Sequence, residues 1–238
     1  RRLLDVQALD TKIDQATHRR GHVEAAVRLA RLTEQREAAL EAAAAADAEL
    51  SDIRRELTRA EDDVEKVKAR RIRDQGRLDQ GSGGAKELVA LQHEVEALDR
   101  RMSDLEDAEL EVMERVDSAA EVAGLARAVT ERVDRELEAV GVEVAAAYAE
   151  IDGEVAGVRS ERERAAAGLD GPLVALYERL RASRGGVGAA QLRGKRCEGC
   201  RLELTPADLE HIRAASPDEV IRCEECGRIL VRMEDSGL

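Results

Sequence analysis

Gly81-Ser82-Gly83-Gly84 is the stretch on which the reading of this chain turns. About eighty residues with helical periodicity lie on either side of it, and the first proline is Pro172. A glycine inside a helix costs about 1 kcal/mol relative to alanine. Three of them in four positions therefore read as the turn of a helical hairpin and not as the middle of one continuous rod.

The arm after the turn carries the more regular pattern. With Leu88 as heptad position a, the a sites run Leu88, Val95, Met102 and on to Val158. The d sites run Leu91, Leu98, Leu105 and onward, and only Glu109, Thr130, Glu154 and Glu161 break the pattern. Apolar residues sustained at a and d predict a coiled-coil helix over about 85–163. In the arm before the turn, Leu50, Leu57, Val64 and Leu78 share one heptad phase, with Ile53, Ala60 and Val67 between them. Arg71 and Asp74 interrupt this seam. Val6, Leu9, Ile13, Ala16, Val23, Val27 and Ala30 form an earlier seam in another phase. The change of phase predicts a stutter around residues 31–49. Folding at the glycines sets Ala42 to Ala46 opposite Ala119, Ala123 and Ala126, so that small side chains meet small ones.

Composition narrows the function. Of 238 residues, 37% are charged and 1% aromatic, with no Phe or Trp, which disfavours a roomy enclosed active site. Ala, Glu, Arg, Leu and Val at helical spacing are the material of coiled coils. The net charge of −13 disfavours attachment of the whole surface to phosphate backbones or anionic membranes. No membrane span or signal-peptide pattern is evident, so a cytoplasmic protein is expected. Arg1-Arg2 reads as the start of a fragment.

The charge is uneven. Lys66, Lys68, Arg70, Arg71, Arg73, Arg77 and Lys86 face only Asp74 and Asp79 over residues 66–86, a local +5. This basic tip reads either as a solvated helix end or as a contact point for an acidic partner or a phosphate backbone. No aromatic residue interleaves with it, so base stacking is not expected there.

Gly168 to Pro172 breaks the second arm. Leu173, Leu176, Tyr177 and Leu180 then form a short amphipathic helix, and Gly185-Gly186-Val187-Gly188 reads as a linker to a last module. Because the arms are nearly equal, that module is expected beside the first residues.

The module holds every cysteine of the chain. Cys197-Glu-Gly-Cys200 and Cys223-Glu-Glu-Cys226 are separated by 22 residues. Two residues between cysteines let both thiolates of a tight turn face one ion, and two such turns supply the tetrahedral set that zinc prefers. One structural Zn²⁺ on Cys197, Cys200, Cys223 and Cys226 is expected. A redox pair would need a thioredoxin-like βαβ setting, which is absent. Val220 to Arg222 and Ile229 to Val231 read as a short β-hairpin, and Thr205-Pro206 as the start of a helix. His18 and His22, His93 and His211 read as surface or packing residues. Arg193, Lys195, Arg196 and Arg201 cluster at the first cysteine turn and could touch phosphate. From residue 185 on, however, the eight basic residues are outnumbered by ten acidic ones, so the module lacks a basic footprint.

On Lys86-Glu87-Leu88 with Leu91-Gln92 and Glu94, the long second arm, the two cysteine pairs and Cys226-Gly227-Arg228-Ile229-Leu230, the chain resembles a bacterial coiled-coil hairpin family that ends in a C4-type zinc ribbon. The resemblance implies a hairpin with a terminal ribbon and zinc ligation by the four cysteines. It also implies nucleic-acid binding, or a chaperone or adaptor role in flagellar or secretion assembly. It implies no catalytic residue. Arg201 stands where such turns commonly have Gly.

The expectation is a mainly α protein: an antiparallel coiled-coil hairpin over 1–165 with its turn at 81–84, a short helix and Gly-rich linker over 166–190, and a C4 zinc ribbon over 191–238. The expected function is that of a non-enzymatic, monomeric adaptor or chaperone-like protein with an unidentified protein partner. The alternative is RNA or DNA binding through the ribbon. A polymerase-channel regulator with a coiled-coil finger would carry acidic residues at the tip, and this tip is basic.

Overall fold

The computed structural model describes residues 1–81, 83–216 and 218–238. Ser82 of the predicted turn lies outside the described residues, as does Pro217. The chain is an antiparallel helical hairpin followed by a small zinc-ribbon region, as its periodicity and cysteine spacing predict. It divides into two units, residues 28–140 and residues 1–27 with 141–238.

The first unit holds α2 (Glu24–Asp79) from residue 28 on, running against the part of α3 (Ala85–Ala166) that precedes Gly141. Their seam buries Ala43, Ala46, Leu50, Ile53 and Val64 from one helix and Leu91, Val95, Leu98, Ala123 and Val133 from the other. The α3 residues are a and d sites of the heptad reading, Leu50, Ile53 and Val64 belong to its first-arm seam, and Ala43 and Ala46 extend that seam toward the start of α2. Ala46, Leu50 and Ala123 form one cluster with Val116, Ala119 and Ala126 against it, so the alanine-rich segments meet as the fold-back requires. The polar interruptions are satisfied locally: Arg71 reaches Asp99 across the seam, and the Thr130 hydroxyl donates to the Ala126 carbonyl. At the turn, Gly81 (φ +64°) and Gly83 (φ +141°) adopt backbone conformations that favour glycine. The Gly84 carbonyl accepts from the N–H groups of Glu87 and Leu88, which starts α3.

The change of heptad phase is resolved earlier than the spacing predicts. α1 (Arg2–Gly21) ends at Gly21, the His22 N–H bonds back to the Arg19 carbonyl, and α2 starts at Glu24. The predicted stutter at 31–49 therefore gives way to a helix break at residues 22–23, and α2 runs unbroken through the stretch in question. Val27 (53% exposed) and Ala30, read as part of the earlier seam, stand exposed on α2, while half-buried Leu29, Leu32 and Ala39 and buried Ala43 and Ala46 carry the later phase back to the break.

In the second unit, α4 (Gly171–Ser183) begins at Asp170, whose side chain accepts from the Leu173 N–H. A four-stranded sheet follows in the order β2 (Arg196–Cys197), β1 (Ala189–Arg193), β4 (Ile229–Arg232), β3 (Ile221–Arg222). The outer pairs are antiparallel and the central β1–β4 pair is parallel. Alternation along the central strands gives the sheet two apolar faces. Ala189 and Ile229 pack with Leu3, Val6, Tyr177 and Leu180 of α1 and α4. Ala190, Leu192 and Leu230 pack with the cysteines, Leu204, and Leu209 and Ile212 of α5 (Pro206–Ala214). The ribbon thus lies against α1, as the equal arms predict. Among the described residues, no helix is long and apolar enough to cross a membrane.

The glycines read as a linker are held on both sides. The buried Gln7 side chain donates to the Gly186 carbonyl and accepts from the Gly188 N–H. Arg228 donates to the carbonyls of Arg184 and Val187. A Cβ on Gly188 would stand 2.6 Å from the Tyr177 carbonyl oxygen, so only glycine fits there.

Candidate metal centre and contact surfaces

Two turns build the metal centre. In the first, the Arg201 N–H donates to the Cys197 carbonyl at 2.7 Å; in the second, the Gly227 N–H donates to the Cys223 carbonyl at 2.7 Å. Arg201 (φ +63°) and Gly227 (φ +71°) share the left-handed conformation, so the turns have the same construction with different residues at the strained position. The β-hairpin expected around the second pair is the β3–β4 pair. Thr205 caps α5, its hydroxyl accepting from the Asp208 N–H while the Asp208 carboxylate accepts from the Thr205 N–H.

The four sulfurs converge. All lie within 4.8 Å of one another, with Cys197 3.9 Å from Cys226 and Cys200 3.9 Å from Cys223. Sulfurs bonded at about 2.3 Å to a tetrahedral zinc ion stand about 3.8 Å apart, while a disulfide needs about 2.05 Å. The donor set therefore fits one structural zinc ion, held by Cys197, Cys200, Cys223 and Cys226. Burial pushes the Cys223 thiol up to about 12, helped by the facing Cys197, and burial raises Cys197 as well. Burial also opposes ionisation of Cys226, but hydrogen bonds from the backbone and side chain of Arg228 bring it down to about 7. A bound zinc ion would supply the positive charge that lets all four ionise in this buried place. Among the described residues no histidine joins the cluster. His211 is exposed on α5, His93 stands 3.9 Å from Glu96, and His22 hydrogen-bonds the His18 carbonyl one turn back on α1.

The chain matches two family models: residues 6–185 fit the CT398-like coiled coil hairpin domain, and residues 196–230 the C4-type zinc ribbon domain. The chain belongs to the CT398-like coiled-coil hairpin family. An uncharacterized protein of Mycobacterium tuberculosis is 36% identical over 98% of this chain and 95% of its own length. A solved Mycobacterium smegmatis structure is 34% identical with a TM-score of 0.85, covering 98% of this chain and 97% of that one. CT398 of Chlamydia trachomatis shares the fold at 19% identity with a TM-score of 0.70, covering 98% and 96%.

The basic residues of this CT398-like hairpin fall into two places. Near the turn, most are matched by carboxylates. Lys66 pairs with Asp63 (2.8 Å), Lys68 with Glu65 (3.0 Å), Arg70 with Glu94 (2.6 Å), Arg77 with Glu87 (3.7 Å), and Arg71 with Asp99. Among the described residues, Arg73 and Lys86 have no carboxylate within ion-pair distance. The local +5 is thus largely neutralised by acids that lie just outside the counted window or across the seam.

At the ribbon, Arg193, Lys195 and Arg196 are exposed around the β1–β2 turn, and the Arg196 guanidinium donates to the Arg201 carbonyl. Residues 233–238 come back onto this turn, a contact missed from the sequence. The Gly194 and Lys195 N–H groups donate to the carbonyls of Asp235 and Ser236, and Arg193 pairs with Asp235 at 3.0 Å. The buried Ser236 hydroxyl donates to the Leu192 carbonyl. The signal was available in Asp235-Ser236-Gly237, a turn-forming triplet of residues that bond to nearby backbone.

Proposed function

We propose that this protein is a non-enzymatic, monomeric adaptor or chaperone-like protein that offers its coiled-coil hairpin to protein partners, with zinc holding the ribbon against α1 and α4. The observation that carries this reading is the closed set of four sulfurs. A tetrahedral ion held by four thiolates has no position left for water or substrate, so its role is structural. The hairpin then supplies the surface for partners, including the tip residues Arg73 and Lys86.

RNA or DNA binding through Arg193, Lys195, Arg196 and Arg201 stands second, because Asp235 already engages Arg193. Phosphate contacts release counterions and make binding fall steeply with salt. The test runs two measurements on the zinc-loaded chain. Photo-crosslinkers along the exposed hairpin faces should capture a protein partner. Anisotropy with generic RNA and DNA should show no salt-dependent binding that neutralising the four ribbon cations removes. The reverse pair of results would replace the adaptor reading with the nucleic-acid one.

A further inference from the structure

The two long sides of the α2–α3 seam differ in chemistry. Residues flanking the a and d positions of a two-stranded coiled coil are commonly charged and pair across the helices. One side follows that habit around Ala46, where Arg127 pairs with Asp47. On the other side Arg115 still pairs with Glu56, but past that pair the flanking positions turn apolar. There α2 presents Ala38, Ala42 and Ala45, all exposed. Next to them α3 presents Val122 (56% exposed), Leu125 (62%) and Val129 (41%). Val122 and Val129 are one heptad apart and Leu125 lies between them, so the three form a stripe on one face of α3. An apolar stripe this wide, a and d plus a flanking position, is the pattern of a helix with more than one helical neighbour. Yet among the described residues α3 has only α2 beside it here.

On this side a groove of roughly 540 Å³ lies between Ala46, Glu49 and Ile53 on α2 and Ser118, Ala119 and Val122 on α3. Its surroundings are acidic. Glu49, Glu111 and Glu114 line the groove, and Glu41 and Glu121 border the apolar stripe. Among the described residues, none of these five is ion-paired. Arg115, the one cation lining the groove, is occupied by Glu56 at 2.8 Å.

We propose that this face docks an amphipathic helix with cationic flanks from a partner protein, completing a local three-helix bundle. The apolar residues match a helix's apolar stripe, and the unpaired glutamates match lysine or arginine beside it. A second copy of this chain would bring five more glutamates against the same five, and like charges disfavour that pairing. The proposal rests on the adaptor reading and names the chemistry of the partner.

The test uses the full zinc-loaded chain and two labelled synthetic peptides of about three heptads, with leucine at a and d and either lysine or glutamate at e and g. Anisotropy should show binding of the lysine peptide and not of the glutamate peptide. Leu125→Glu should weaken that binding at least about tenfold with helicity and zinc content unchanged. Leu110→Glu, on another exposed face of α3, should leave it as it is. The proposal is overturned if the lysine peptide does not bind, or if Leu110→Glu weakens it as much as Leu125→Glu. It is also overturned if the chain sediments as a dimer that Leu125→Glu splits, which would assign the face to a second copy. If the peptide fails while a protein crosslinks elsewhere on the hairpin, the docking face falls and the adaptor reading stands. If nothing crosslinks anywhere, both fall.

Discussion

Arg201 holds in the first cysteine turn the left-handed backbone that Gly227 holds in the second. A residue with a Cβ is disfavoured there by roughly 1–2 kcal/mol, and glycine is not. The Arg201 carbonyl that Arg196 uses would survive replacement. Arg201→Gly should therefore raise the stability of the zinc-loaded ribbon by roughly 0.5–1 kcal/mol, read from the urea midpoint of C-terminal protease resistance. The thiols carry a second prediction. Burial raises the pKa of both Cys197 and Cys223, so both hold protons at neutral pH in the metal-free fold. Zinc must displace those protons, and apparent affinity rises with pH and falls on acidification. Two displaced protons set a minimum of about a hundredfold per pH unit, steeper below about pH 7 where Cys226 also gives up a proton, measurable by competition with a chromophoric chelator. A flat profile between pH 6 and pH 8, as a rough range, would contradict it.

Among the elements, α4 is tied to α1 by the packing of Leu180, by the Arg181–Asp14 ion pair and by a buried hydroxyl. Tyr177 is fully buried and its hydroxyl donates to Asp10 at 2.7 Å, where Arg162 also binds at 3.1 Å. Burial, then the hydrogen bond to Asp10, raises the Tyr177 pKa well above the ordinary 10.0. In the unfolded chain the phenol ionises near that ordinary value, while in the fold it stays protonated. The stabilising contribution is thus complete below pH 10 and is lost as pH rises beyond it. Tyr177→Phe should cost about 1–3 kcal/mol at neutral pH and flatten the alkaline limb of the stability curve, by thermal unfolding in a pH series.

Elements set by neighbouring residues were legible in the sequence. Thr205, Pro206 and Asp208 specify a helix start within four positions, and Ile221 and Ile229 sit in strands joined by one cysteine turn. The four metal ligands were legible for the same reason, since two-residue spacing is itself the geometry of the turn. Long-range features were not. Ala189 to Leu192 pair in parallel with Ile229 to Arg232, and no local turn announces such a partner. Alanine is also a poor strand former. The break at residues 22–23 carries no proline to mark it. Nor does counting charges along one helix reveal that Arg70 meets Glu94 on the other, which only the register decides.

In the molecule as a whole, the sheet joins metal and helices. Ile229 and Ala189 face α1 and α4, while Leu230 and Ala190, one residue on, face the cysteine core. Removing zinc should therefore do more than unfold the ribbon. Chelation is expected to expose α4 and α1 to protease while the 28–140 unit keeps its helicity, followed by limited proteolysis and far-UV circular dichroism. Protection of α4 in the metal-free chain would show that the helices hold the sheet unaided. The parallel β1–β4 pair also sets an order of events. Both cysteine turns and α5 lie between its two strands, so pairing them closes a loop of about forty residues, with the entropy that closure costs. The connection from Asp79 to Ala85 between α2 and α3 is short and closes far more readily. Contacts local in sequence form first, so the hairpin zips early. A growing chain that has made only Cys197 and Cys200 has two thiolates and a strand with no central neighbour. Zinc capture and docking onto α1 therefore wait together for β4, and the fold is completed from its far end in a single step.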